Sequence, residues 1–454
     1  MAMTCLCAFN SLQGNAQVAG GNTLVATAIE QRRVTLRDSI LNHISGAKIA
    51  AKSLQIKNFG AKNDGKTDCR AAFAKAIKKA SAMKGAKIVV PAGTYYIKGP
   101  IVLASNICLE LQKGATLKFA PEEKYYPIVN TSWEGTFLYN YSPLIYAYGC
   151  KNVSIIGEGT IDGNAMTTFA KWKPNQKKAQ QLSRKMNHEE VPVSERKFGE
   201  GYWLRPQLVQ LYNCQGITLE GVKITNSPFW CIHLLKSENI ICRNLRYDAK
   251  LINNDGLDPE CSRNILIEGI AFNNGDDNVA IKSGRDNDGW NAKMSSENII
   301  IRNCHFARWA ITVGSEMSGG VRNIYIEDCK IDSCRNGIYF KSNPDRGGYF
   351  ENLNMRRIEA DVCLWGVINF RTNYHGYRGG NHPTLFRNIC IEDVTCNRVD
   401  SVALMANGLP EAKLHNITLR NINVKKAPKA IQMENVVNLT LDNVVVNGEK
   451  VTAP

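Results

Sequence analysis

The chain lacks most of the features that would give a quick assignment. No stretch approaches the roughly 18 apolar residues of a membrane-spanning helix. There is no basic helix, no helix-turn-helix pattern and no regular zinc-ligand spacing, which leaves the common nucleic-acid-binding modules without support. No amphipathic helices separate the β-forming segments that fill most of the chain, excluding leucine-rich and helical repeats. Hairpin signals are too few for the four-stranded blades of a β-propeller. No motif calls for a metal or a cofactor, and none is expected. The 15 cysteines are an odd number and scattered, many at repeated strand positions such as Cys242, Cys304, Cys329, Cys390 and Cys396. They read as small buried apolar residues, with a few disulfides open to an oxidising compartment.

What is present is charge and repetition. The 454 residues carry a net charge of +15, which favours an acidic partner. An acidic polysaccharide fits that charge as well as a nucleic acid does, and it fits the motifs better. From residue 150 onward one phrase returns: Asn, a few alternating β-formers, then Asn, Asp or Gly. It opens at Asn152, Asn239, Asn264, Asn298, Asn323, Asn352, Asn388, Asn416 and Asn438. Repeats of about 20–50 residues indicate a solenoid or array, and short alternating strands make it a parallel β-helix. The recurring Asn suits the turn into each strand, where its side chain can form a ladder from coil to coil.

Residues 51–454 are expected to form a single β-helical domain. Its open first coil would be covered by a short helix in Cys69–Gly85, whose apolar spacing uses Ala72, Phe73, Ala76 and Ile77 and which Thr67 or Asp68 could cap. Residues 1–50 read as a tail, export-signal remnant and linker, pointing to a periplasmic or secreted protein. A polar stretch from Met166 to Gly201 interrupts the repeat and reads as a functional loop or a mobile excursion.

Two segments carry the chemistry: Asn253-Asn254-Asp255-Gly256-Leu257-Asp258 and Gly275-Asp276-Asp277-Asn278-Val279-Ala280-Ile281-Lys282. They lie about one coil apart, and parallel strands are about 4.7–4.9 Å apart, so their carboxylates can face one pocket. Carboxyl groups at short range can split into a general acid and a general base, the equipment for cutting a glycosidic bond. Matching apolar positions sets Val279 beside Ile311 and Ile338, and Ile281 beside Val313 and Phe340. Glu260, Lys282, Gly314 and Lys341 then share a column, with Gly314 leaving a gap between two lysines.

Taken in order, FGAKNDGKTD, NNDGLD, GDDNVAIKSG and ITVGSEMSGG resemble the motifs of the polygalacturonase family, glycoside hydrolase family 28, over roughly residues 55–450. The resemblance implies a right-handed parallel β-helix that hydrolyses α-linked galacturonate or rhamnose bonds in pectin with inversion. It implies Asp276 as general acid, with Asp255 and Asp277 positioning and deprotonating the water. Two family positions differ. A Gly-His-Gly reads Ala307-Arg308-Trp309 here, and an Arg-Ile-Lys that grips the leaving-side carboxylate reads Tyr339-Phe340-Lys341. Lys341 and Lys282 are the expected groove cations, and Arg308, Arg346 or Arg335 could supply a substitute charge. Tyr339 and Trp309 could pack against a less acidic sugar. Asn253 and His233 are further candidates, His233 on the floor beside Asp255. The insertion resembles loops that close one end of the groove in exo-acting members. An exo-acting galacturonidase is therefore the first expectation and a rhamnogalacturonan hydrolase the second. A calcium-dependent pectate lyase, or a binding β-helix without catalysis, would require a different use of the three aspartates.

Overall fold

The computed structural model describes residues 21–48, 51–375 and 379–453; residues 1–20 of the stretch read as a tail and export-signal remnant lie outside them. The chain folds as a right-handed parallel β-helix, in register from coil to coil. One inward column shows the construction: Val209, Ile232, Leu257, Val279, Ile311, Ile338, Ile368, Leu404 and Ile431 are successive neighbours. The pairings expected for Val279 and Ile281 are all present. β-Branched and Leu side chains suit such a column because they pack well on a pleated surface. A single apolar cluster runs along the barrel from Ile56 to Val451. Its aromatic members stack between coils, as with Phe340 on Phe370 at a centroid distance of 4.0 Å.

The repeated phrase works as a turn device. All nine phrase-opening asparagines have positive φ, between 53° and 61°. That left-handed conformation costs most L-residues roughly 1–2 kcal/mol, and Asn and Gly tolerate it best. Each side chain then meets the one a coil away: Asn323 Nδ2 donates to Asn298 Oδ1 at 3.0 Å, and Asn352 Nδ2 to Asn323 Oδ1 at 3.0 Å. The ladder continues through Asn388, Asn416 and Asn438.

Helix α2 (Arg70–Ala82) is the expected cap, burying Ala72, Phe73, Ala76 and Ala80. Asp68 Oδ1 accepts from the Arg70 amide at 2.9 Å, ordering its first turn. Three features exceed the expectation. Helix α1 (Gly21–His43) falls in what reads as tail, yet it lies against the outside of the barrel. There Ile40 packs with Leu266, Ile300 and Tyr325, and Arg37 pairs with buried Glu327 at 2.5 Å. The polar insertion is ordered, with short 3-10 turns on either side of helix α3 (Lys177–His188). An antiparallel hairpin, Ile128–Trp133 with Thr136–Tyr141, turns through Glu134 and Gly135. Both have positive φ (47° and 78°), the geometry of a two-residue type I′ turn.

Asn323→Ala removes two ladder hydrogen bonds and leaves an alanine in the left-handed region, so it should destabilise by about 2–4 kcal/mol. Asn323→Gly should cost less, because the backbone conformation is then tolerated. Urea unfolding of both variants checks the ordering; equal losses would mean that the backbone conformation contributes nothing.

Candidate active site

The site lies on the outward face of the strands whose inward residues form the column above. Alternation puts Asp258 and Glu260 outward on one coil, Lys282 on the next, then Thr312 and Gly314, then Tyr339 and Lys341. The Gly256 amide donates to the Asp277 carbonyl at 2.9 Å, so the turns carrying Asp255 and Asp277 stack directly. Asp255, Asp276 and Asp277 all line one cavity of about 360 Å³, together with Asn253, Lys282 and Lys341.

Each aspartate has its own surroundings. Thr312 Oγ1 donates to Asp277 Oδ1 at 2.7 Å and Lys341 Nζ to Asp277 Oδ2 at 2.6 Å, fixing both oxygens. Asp276 accepts from Asn253 Nδ2 at 3.3 Å and from the Asp277 amide at 3.1 Å. Asn253 is itself held by Arg205, a fully buried guanidinium whose Nη2 donates to Asn253 Oδ1 at 2.7 Å. Burial, then the neighbouring Asp277, raises the Asp276 pKa above the ordinary carboxyl value, against the pull of Lys341. Asp255 is raised well above it, by burial first and then by Asp258 and Asp276. A carboxyl kept protonated in this way can donate to a leaving oxygen.

Lys282 does not wait in the groove for an anion. Its ammonium lies 3.3 Å from Glu316 Oε2, 3.6 Å from Asp258 Oδ1 and 3.7 Å from Asp255 Oδ2. Burial opposes its charge, yet Glu316, Asp258 and Asp255 push its pKa well above the ordinary lysine value. Burial likewise opposes ionisation of Glu316, but Lys282, Arg285 and Arg346 hold it well below the usual carboxylate range. Gly314 makes the gap that this cluster uses: at φ +97°, a Cβ there would sit 2.1 Å from the Lys341 carbonyl oxygen.

Several expected contacts fall elsewhere. His233 shares the outward face, but the hairpin covers it and it has no solvent exposure. It is tied through Nε2 to Glu260 at 2.7 Å and through Nδ1 to Gln210 at 2.9 Å. Thr131 and Ser132 of the hairpin meet Gln210 and Glu260 from above. His233 is therefore structural rather than sugar-facing. Arg308 is exposed and does not line the cavity. Arg335 stacks on Trp309 at 3.8 Å and on Trp365 at 4.7 Å. Tyr339 lies beside Lys341 on the same strand and lines a neighbouring cavity. Only Arg346 of the three substitute cations lines the catalytic cavity, paired with Asp286 at 2.6 Å.

Other residues were not singled out from the sequence. Lys173, Gln180 and Arg184 of the insertion, and Glu134 at the hairpin tip, form one wall. Arg184 pairs with Glu134 at 3.1 Å. Lys173 has no ion-pair or hydrogen-bond partner among the described residues, and burial lowers its pKa. Asp258, in the motif but given no role, is fully buried, with both oxygens lacking a hydrogen bond from the described residues.

A parallel β-helix whose outward face gathers three aspartates in a cavity of interleaved acids and bases has the equipment of a carbohydrate-active enzyme. Residues 80–445 match the glycosyl hydrolases family 28, and the chain belongs to that family. It is a glycoside hydrolase. Among solved structures it resembles a hyperthermoactive exopolygalacturonase from Thermotoga maritima, with a TM-score of 0.88, 36% identity, and coverage of 92% of this chain and 97% of that one. A probable polygalacturonase of Vitis vinifera is 27% identical over 85% of this chain and 77% of its own length. An exo-poly-alpha-D-galacturonosidase of Dickeya chrysanthemi is 26% identical over 76% of this chain and 62% of its own length. No described helix is long and apolar enough to cross a membrane.

The buried Asp258 carboxyl, which faces Lys282 at 3.6 Å but accepts no hydrogen bond from the described residues, gives a test by pH. Burial raises its pKa well above the ordinary value, although Lys282 opposes the shift. A group with a raised folded pKa stabilises fully below its unfolded value, and that contribution is lost as pH rises towards the folded value. Asp258→Asn does not titrate there. Its stability relative to the wild type should therefore increase from about pH 4 to pH 7, by at most roughly 1.4 kcal/mol per pH unit. Melting of both proteins across that range checks it; a constant difference would mean that Asp258 is ionised throughout.

Proposed function

We propose that this glycoside hydrolase removes galacturonate from the ends of pectic chains, with inversion at the anomeric carbon. The observation that carries this reading is the meeting of three aspartates in a cavity walled on one side by the ordered insertion. A wall there favours a chain end over the middle of a polymer. Asp276, with its raised pKa, is the general acid that protonates the leaving oxygen. Asp277 takes the proton of the attacking water, which Asp255 helps to hold, with Lys341 and Thr312 setting the orientation of Asp277. Asn253 and Arg205 position the acid.

Lys173 is the cation assigned to the sugar carboxylate. Lys341 and Lys282 are already ion-paired to protein carboxylates, whereas Lys173 is half-buried on the cavity wall with no ion pair among the described residues and only the longer-range pull of Glu134 and Asp276. An incoming carboxylate would restore the charge stabilisation that burial removes. With a polymeric cell-wall substrate, a periplasmic or secreted location follows. The similarity to polygalacturonases and to an exopolygalacturonase supports the same substrate class.

Asp276→Asn should lower kcat by about 10²–10⁴-fold with little change in stability. Proton NMR of fresh product from the wild type should show the β-anomer first; net retention would contradict the assignment. Lys173→Ala should raise KM for galacturonate oligosaccharides by about 10–100-fold, as for a lost charged hydrogen bond. The effect should be much smaller when the terminal sugar is a methyl ester. Equal losses on both would remove Lys173 from carboxylate recognition.

A further inference from the structure

The ordered insertion works on two sides. Its Lys173, Gln180 and Arg184 line the catalytic cavity. A separate cavity of about 950 Å³ is lined by Lys177, Lys178, Gln181 and Leu182 of helix α3 and by Tyr202 and Trp203. Lys178 and Leu182 are each two residues from Gln180, which turns them about 200° around the helix from it. Helix α3 is thus a partition, with the catalytic cavity on one side and this cavity on the other. The outer cavity differs in charge: no acidic residue lines it.

We propose that this outer face of the insertion is a second, non-catalytic binding site for galacturonan, holding the enzyme on the polymer while chain ends enter the catalytic cavity. The inference rests on the galacturonate reading above. Tyr202 and Trp203 are 37% and 38% exposed, and buried rings support them from behind. Trp172 meets Trp203 edge-on at 5.4 Å, and Phe198 meets Tyr202 at 5.0 Å. Trp203 holds its position with φ at +61°, a conformation that bulky residues rarely adopt and that collects at functional sites. Two exposed rings fixed in this way offer amphipathic surfaces to the C–H faces of pyranose rings. Lys177 and Lys178 are exposed beside them and make no ion pair among the described residues. They sit in the first turn of α3, which has no acidic residue, where cations oppose the helix dipole. Helix stability therefore does not account for them, whereas a row of sugar carboxylates would be attracted by both lysines. Aromatic faces with unpaired cations suit an acidic polysaccharide better than a neutral one.

The test compares wild type, Tyr202→Ala and the double variant Lys177→Ala/Lys178→Ala. Retention by polygalacturonate is read by affinity electrophoresis in the Asp276→Asn background, so that turnover does not consume the polymer. Both changes should weaken retention by about tenfold and leave kcat and KM for digalacturonate unchanged. Tyr202→Ala should not alter binding of polyphosphate, a polyanion without sugar rings. Unchanged retention in both variants, or an equal loss on digalacturonate, would overturn the site. A loss confined to the lysine variant would reduce the face to a general polyanion surface and overturn sugar recognition, as would an equal effect of Tyr202→Ala on polyphosphate. A change from dimer to monomer in the same variants, read by light scattering, would assign the face to a second copy of the chain instead. A wild type that releases galacturonate while the variants keep full retention would refute this site alone. Weakened retention in the variants of an enzyme that releases no galacturonate would refute the assigned reaction and leave the site standing.

Discussion

The site depends on backbone register between coils. A slip of one residue between Leu257 and Val279 would turn Lys282 into the core and bring Ile281 to the surface, since side chains alternate faces with period two. The inward column from Val209 to Ile431 makes such a slip prohibitive, because every apolar residue in the shifted segment would move to the wrong side. The same register stacks the turns of Asp255 and Asp277 and brings Lys341 within reach of Asp277. Apolar packing in the barrel therefore sets the geometry of a polar cluster outside it. The asparagine turns support this by starting each strand at the same phase.

The charged groups balance as a set rather than as pairs. Lys282 faces three carboxylates while Glu316 faces Lys282 and Arg285. Breaking one partner of such a buried network leaves the other uncompensated, which is costly. Pairing Lys341 to Asp277 and Lys282 to Glu316 leaves Asp276 and Asp255 as the carboxyls that burial can keep protonated. Basic residues of the cleft such as Lys282, Arg285 and Lys341 thus serve first to keep its acids in order, whereas Lys173 makes no ion pair among the described residues.

Much of this was legible in the sequence because it is local and periodic. Alternation of apolar residues set Val279 against Ile311 and Ile338, and the Asn phrase marked the turns. Spacing between the two acidic motifs placed Asp255 near Asp277. What escaped depends on distant segments folding back onto the barrel. Nothing near His233 announces that the Thr131–Ser132 hairpin strand will close over it, so a residue expected on the groove floor lies beneath that strand instead. Lys341 gave no sign in its own segment that Asp277, 64 positions earlier, would claim it. Lys173 and Arg184 lie in a polar run without a pattern, and their use appears only when the insertion is seen against the cavity wall.

Helix α1 has a consequence for maturation. Arg37 is one of three arginines on the buried Glu327 carboxylate, with Arg356 and Arg357, and Arg33 reaches the thiol of Cys390. Ile40 closes over Ile300 and Tyr325. The segment after residue 30 is therefore a fastening on the barrel rather than a disposable leader. Any proteolytic trimming of the N-terminus that spares the enzyme must stop before Arg33, and a cut further in would strip an apolar seam and unbalance a buried charge.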